Sequence, residues 1–111
     1  MIENEKIDCV DALIFGLNRT AQWRQKMAAR YPSDPRNARA ADCLAKLATD
    51  AAALTDNDWI QLRPHSGWAS ERWREAISQA ARAVGFIHKV KDLSSFVKQL
   101  LDVLSQPSIA A

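Results

Sequence analysis

The chain has 111 residues, of which 48% are hydrophobic and 25% charged, and its formal net charge is +2. This length supports one domain with its own core, and two cysteines outside any CxxC or Cys/His cluster exclude a disulfide framework and a zinc site. The longest apolar run, ALIFGL, is too short to cross a membrane, and the acidic first residues are unlike a signal peptide, so we expect a cytoplasmic protein.

Two helices are predicted before the first proline. Apolar residues recur at helical spacing at Ile7, Val10, Leu13, Ile14 and Leu17. The segment GLNRT then predicts an interruption, because Gly16 and Asn18 weaken a helix and Asn18 or Thr20 can cap a new one. The second helix is expected to end near Arg30, before Pro32.

A third helix is predicted from Pro35 to about Leu54. Asp34 is suited to the N-cap, and proline is favoured in the first turn because its missing N–H costs nothing there. The predicted apolar face consists of Ala40, Cys43, Leu44, Leu47, Ala51 and Leu54. The opposite face, with Arg39, Asp42, Lys46 and Asp50, is expected to meet solvent.

Three more elements follow in the second half of the chain. Thr55 is a predicted N-cap for a short helix that must end near Arg63, before Pro64. Ser70 is expected to cap the next helix and Gly85 to follow its end. The last helix covers about 93–105, and residues 106–111 are expected to fray. The sequence therefore predicts an all-α, single-domain bundle of five to six short and medium helices over residues 1–111.

The tryptophans divide into predicted core and candidate surface. Trp73 shares a helix face with Ile77, Ala80, Ala81 and Val84, which predicts burial, and Trp59 is expected to anchor the short helix. Trp68 is open to two interpretations, since it can pack over the helix start or stay exposed beside Arg72. The predicted partner-binding surface is Arg63, His65, Trp68 and Arg72.

A basic stripe is the second candidate surface. Arg19, Lys26 and Arg30 share one side of the second predicted helix, next to an apolar stripe that begins at Trp23. With Arg36 and Arg39 they form either a solvated helix face or a ridge that contacts the phosphates of a nucleic acid.

No catalytic, nucleotide-binding or metal-binding motif is present, so we expect no cofactor and no metal site. The first hypothesis is a small helical protein-interaction module, an adaptor or accessory subunit that binds another protein or a second copy of itself. The apolar last helix is one surface that self-association could use. The alternative is an accessory nucleic-acid-binding protein, and a weaker one is a small enzyme that uses His65.

Overall fold

The computed structural model describes residues 2–65, 71–86 and 90–105, and this part of the chain folds into five helices. Their bounds are α1 (Ile2–Arg30), α2 (Pro35–Ala51), α3 (Asp56–Leu62), α4 (Glu71–Ala83) and α5 (Leu93–Ser105). The predicted all-α bundle of five to six helices is confirmed. Trp68, Ser70 and the tail 106–111 lie outside the described residues.

The predicted interruption at GLNRT is wrong, because α1 runs without a break from Ile2 to Arg30. Gly16 is needed for packing rather than for chain reversal, since a Cβ atom there would overlap Cγ2 of Ile77 in α4. Thr20 does not cap a new helix; its hydroxyl donates to the Gly16 carbonyl at 3.0 Å. A glycine inside a helix costs about 1 kcal/mol relative to alanine, and the close approach of α4 offsets that cost.

The turn between α1 and α2 forms as the sequence predicts. Asp34 is the N-cap of α2 and accepts a hydrogen bond from the Arg36 backbone N–H at 3.0 Å, with Pro35 in the first turn. Arg36 also pairs with the Asp34 carboxylate at 2.8 Å. Hydrogen bonds from the Arg36 side chain and backbone lower the pKa of Asp34 to about 2.

The core lies where α1 and α2 pack against each other and against α4 and α5. Five of the six residues on the predicted apolar face of α2 are buried, and the sixth, Cys43, is partly exposed. In α1 the buried stripe differs from the predicted periodic set, because Ile7 is 56% exposed. The stripe instead consists of Cys9, Leu13, Leu17, Thr20, Ala21 and Arg24.

Both predicted core tryptophans are buried, Trp73 at 2% exposure and Trp59 at 4%. Trp73 Nε1 donates to the His65 carbonyl at 2.6 Å, which fixes the start of α4 against the segment after α3. The Thr55 side chain caps α3 as predicted. Asp58 in that helix accepts a hydrogen bond from Ser94 Oγ at 2.9 Å, so α3 is tied to α5.

Two further predictions concern Gly85, which follows α4, and the apolar stripe of α5. Gly85 has φ +80°, the left-handed conformation expected of the glycine that follows a helix. The apolar stripe of α5 is covered within the chain, and its buried members are Leu93, Phe96, Val97, Leu100 and Leu104. Self-association through the last helix therefore lacks the exposed apolar stripe that it requires.

Candidate functional site

Some residues of the partner-binding surface predicted between α3 and α4 make contacts within the chain. Arg63 is exposed directly after α3, whereas His65 is half-buried and its carbonyl accepts the Trp73 bond. Arg72 donates through Nη2 to the Leu104 carbonyl at 2.6 Å, which ties α4 to the end of α5. Trp68, the fourth member, lies outside the described residues. His65 and Arg72 therefore hold helices together, whereas the Arg63 side chain faces solvent.

The described side chains offer no metal site. No group of three or more His, Cys, Asp and Glu side chains in residues 2–65, 71–86 and 90–105 is placed to hold an ion. Cys9 is fully buried, and this burial raises the pKa of its thiol to about 12, so the thiol stays protonated near neutral pH. Cys9 is therefore a core residue and not a nucleophile.

All five residues of the predicted basic ridge are exposed, namely Arg19, Lys26, Arg30, Arg36 and Arg39. The structure brings Arg36 and Arg39 together beside Asp34, whose pKa both of their charges lower. The Arg30 guanidinium lies 5.7 Å from the Tyr31 ring centre, at the end of α1. The turn between α1 and α2 therefore carries several cations and one carboxylate that is already paired.

An arginine–aromatic cluster joins the ends of three helices and was not predicted. The Arg24 guanidinium lies 4.5 Å from the centre of the Trp23 ring and 4.0 Å from that of Phe86. Arg82 lies 5.3 Å from Trp23, and Arg36 lies 4.8 Å from Phe86. Cations at these distances are attracted to the ring faces. The cluster therefore alternates three guanidinium groups with two aromatic rings.

Arg24 is the buried centre of this arginine–aromatic cluster, at 8% exposure. Its Nη1 donates to Asn37 Oδ1 at 3.2 Å and its Nη2 to the Arg82 carbonyl at 2.6 Å. Burial, and then the charges of Arg82 and Arg36, lower the pKa of Arg24. A sequence signal existed, since Arg24 lies three residues after Ala21 and seven after Leu17, on the buried stripe of α1.

A groove separates the exposed sides of α1 and α4. Gly16 and Ile77 meet at its middle, and Trp23 meets Arg82 further along, so the two helices run parallel. Two aromatic side chains of α1 line the groove and remain accessible, Phe15 at 64% exposure and Trp23 at 38%. Accessible aromatic side chains in a cleft are typical of binding surfaces.

The groove is electrically polar along its length. Acidic side chains line it near the start of both helices, at Glu5, Asp8, Asp11, Glu71 and Glu75. Arg19 and Arg82 lie toward the other end, and Arg74 is the exception within the acidic part of α4. A ligand that follows the groove would therefore meet negative charge first, then the Phe15 ring, then positive charge.

Comparison with protein-family models, with curated proteins and with solved structures gives no match to this chain. None of the helices in the described ranges is both long and apolar enough to cross a lipid bilayer.

Proposed function

We propose that this chain is a small helical protein-interaction module, an adaptor or accessory subunit, which binds a partner helix in the groove between α1 and α4. The observation that carries this proposal is the exposure of Phe15 at the middle of the groove. A large aromatic side chain that gains nothing from the chain's own core stabilises a complex when a partner covers it.

The chemistry of the groove favours a protein partner. Its two exposed rings supply apolar area, and its separated acidic and basic ends fix the direction in which a charged helix can lie. Enzyme activity through His65 gains no support from the described contact of this residue, which is structural because its backbone carbonyl accepts the Trp73 hydrogen bond.

Replacing Phe15 by serine should abolish partner binding and leave the fold intact, because the ring contributes little to the core. The matched control is Ile60→Ser on α3, since Ile60 is equally exposed at 64% but is not a groove residue. We expect the parent and Ile60→Ser to retain the same proteins from a nuclease-treated lysate of the native cell, and Phe15→Ser to lose them. Equal retention by all three chains would contradict the groove as the binding surface.

Nucleic-acid binding is the second candidate, and the arginine–aromatic cluster favours it. Arg82 and the ridge residue Arg36 are exposed there, and Trp23 offers a partly exposed ring on which a base could stack. The charges at this end of the molecule are mostly positive, as phosphate contacts require. Binding of DNA or RNA is thus the main alternative to binding of a protein partner.

Salt dependence separates the two candidates. If Arg19, Lys26 and Arg30 contact phosphates of duplex DNA, replacing all three by glutamine should flatten the plot of log affinity against log salt by about three units, since each contact contributes about 0.9. All three side chains are exposed, so the thermal midpoint should change little. Filter binding at low salt is the measurement. No retention of DNA or RNA by the parent would remove this candidate.

A further inference from the structure

Five exposed side chains of α1 are spaced four residues apart and form one row, which we call the α1 row: Ile7, Asp11, Phe15, Arg19 and Trp23. Residues at this spacing form the ridge that helices most often use when they pack against each other. Successive members turn by about 40° around the helix, so the row crosses the exposed side of α1 with Phe15 at its centre.

The α1 row is self-complementary about Phe15. Asp11 and Arg19 lie four residues before and after it, and carry opposite charges. Ile7 and Trp23, the ends of the row, are also exposed, at 56% and 38%, but they lie about 80° around the helix on either side of Phe15 and fall outside the central contact. When the row is reversed, Asp11 therefore faces Arg19 and Phe15 faces its own counterpart.

Among the described residues, Asp11 and Arg19, the central charges of the α1 row, take part in no ion pair. The described residues form two ion pairs, Lys6 with Asp56 and Arg36 with Asp34, and neither includes a member of the row. Within α1, the positions three and four residues from Asp11 and from Arg19 hold no residue of opposite charge. Both charges are thus available to a second molecule.

We propose that the partner helix in the groove is α1 of a second copy of this chain, placed antiparallel about a two-fold axis through Phe15. The two Phe15 rings pack on the axis, and Asp11 pairs with Arg19 of the second copy on both sides. Such an interface is isologous, since each copy presents the same surface to the other. This inference rests on the proposed function and names its partner.

The polarity of the groove selects the antiparallel arrangement. Parallel copies would place the acidic starts of α1 and α4 against each other and the basic ends likewise, and like charges in contact oppose association. Antiparallel copies place each acidic end on a basic end. A shift of the two helices by a full turn is unfavourable as well, because Asp11 would no longer face Arg19 of the second copy and the two Phe15 rings would no longer meet.

Charge reversal tests the pairing in solution. Asp11→Arg alone, or Arg19→Asp alone, puts like charges on both sides of the axis and should weaken the dimer by roughly 10-fold or more. The double variant Asp11→Arg/Arg19→Asp exchanges the two charges and should restore the parent's dissociation constant to within about 3-fold. An equimolar mixture of the two single variants should form a heterodimer tighter than either homodimer. Sedimentation equilibrium over the micromolar range measures the dissociation constants of the parent, the two single variants, the double variant and the mixture.

Cross-linking tests the position of the axis. Phe15→Cys should form a disulfide-linked dimer on oxidation, because position 15 faces itself, whereas Asp11→Cys alone should not. The parent is the control for its own thiols, since Cys9 is buried and Cys43 partly so. A dimer linked equally well through either introduced cysteine would overturn the proposed axis.

The two levels of the proposal fail separately. A parent that stays monomeric to high micromolar concentration, or a double variant no better than the single ones, would overturn the self-pairing. If Phe15→Ser then still loses the captured proteins that Ile60→Ser retains, the protein-interaction function stands with a different partner. If capture is also indifferent to Phe15, both proposals are wrong.

Discussion

Replacing Trp73 by alanine should lower the free energy of unfolding by about 3–5 kcal/mol, the usual range for removing a large buried aromatic side chain. Trp73 is 2% exposed in the core, and its Nε1–H bond to the His65 carbonyl would be lost with the ring. Urea unfolding followed by circular dichroism is the measurement, since the helical signal does not depend on the tryptophan that is removed.

Trp73→Phe is the matched control for this expectation. It keeps most of the buried ring and removes the donor to His65, so it should cost only about 1 kcal/mol for the bond in addition to the smaller loss of packing. If Trp73→Ala unfolds at the same urea concentration as the parent, the assignment of this residue to the core is wrong.

Replacing Gly16 by alanine should destabilise the protein by about 1–3 kcal/mol, the usual cost of overpacking a core. A loss of stability would be informative, because alanine inside a helix would otherwise stabilise the protein by about 1 kcal/mol relative to glycine. The new methyl group would overlap Cγ2 of Ile77, which is itself buried and cannot swing into solvent. The helix α4 must therefore move away from α1.

A double-mutant cycle isolates this contact. Ile77→Ala removes the Cγ2 atom and destabilises the chain by itself, but Gly16→Ala added to it should cost far less than in the parent, or even stabilise. Unfolding free energies of the parent, both single variants and the double variant complete the cycle. Additive costs would show that Gly16 does not set the distance between α1 and α4.

The parts of the fold that the sequence predicts are those decided by near neighbours along the chain. The Asp34 and Thr55 caps depend on backbone N–H groups two or three residues away, and Gly85 depends on its own backbone angle. The burial of Trp73 follows from the period of its own helix. These features needed no knowledge of how the helices are arranged.

The features that the sequence predicted wrongly, or did not predict, depend on contacts between distant parts of the chain. Gly16 suggests a helix break in sequence, and its real role appears only when Ile77 is placed against it. The ring partners of Arg24 come from α1 and from the segment after α4, so the arginine–aromatic cluster had no local pattern. The groove likewise exists only once α4 lies parallel to α1, although the helical wheel places Arg19, on its border, on an exposed basic stripe.

The length of α1 has a consequence for the rate at which complexes form. Its 29 residues extend about 43 Å, close to the longest dimension of the molecule, 47 Å, with acids near one end and bases near the other. The backbone dipole of the helix favours this arrangement of side-chain charges, and it partly cancels their field at a distance. A charged partner at low ionic strength is nevertheless turned by the field of the side chains before it touches the surface, which raises the association rate. At physiological ionic strength the field is screened over about 8 Å, so this steering acts only in the final approach.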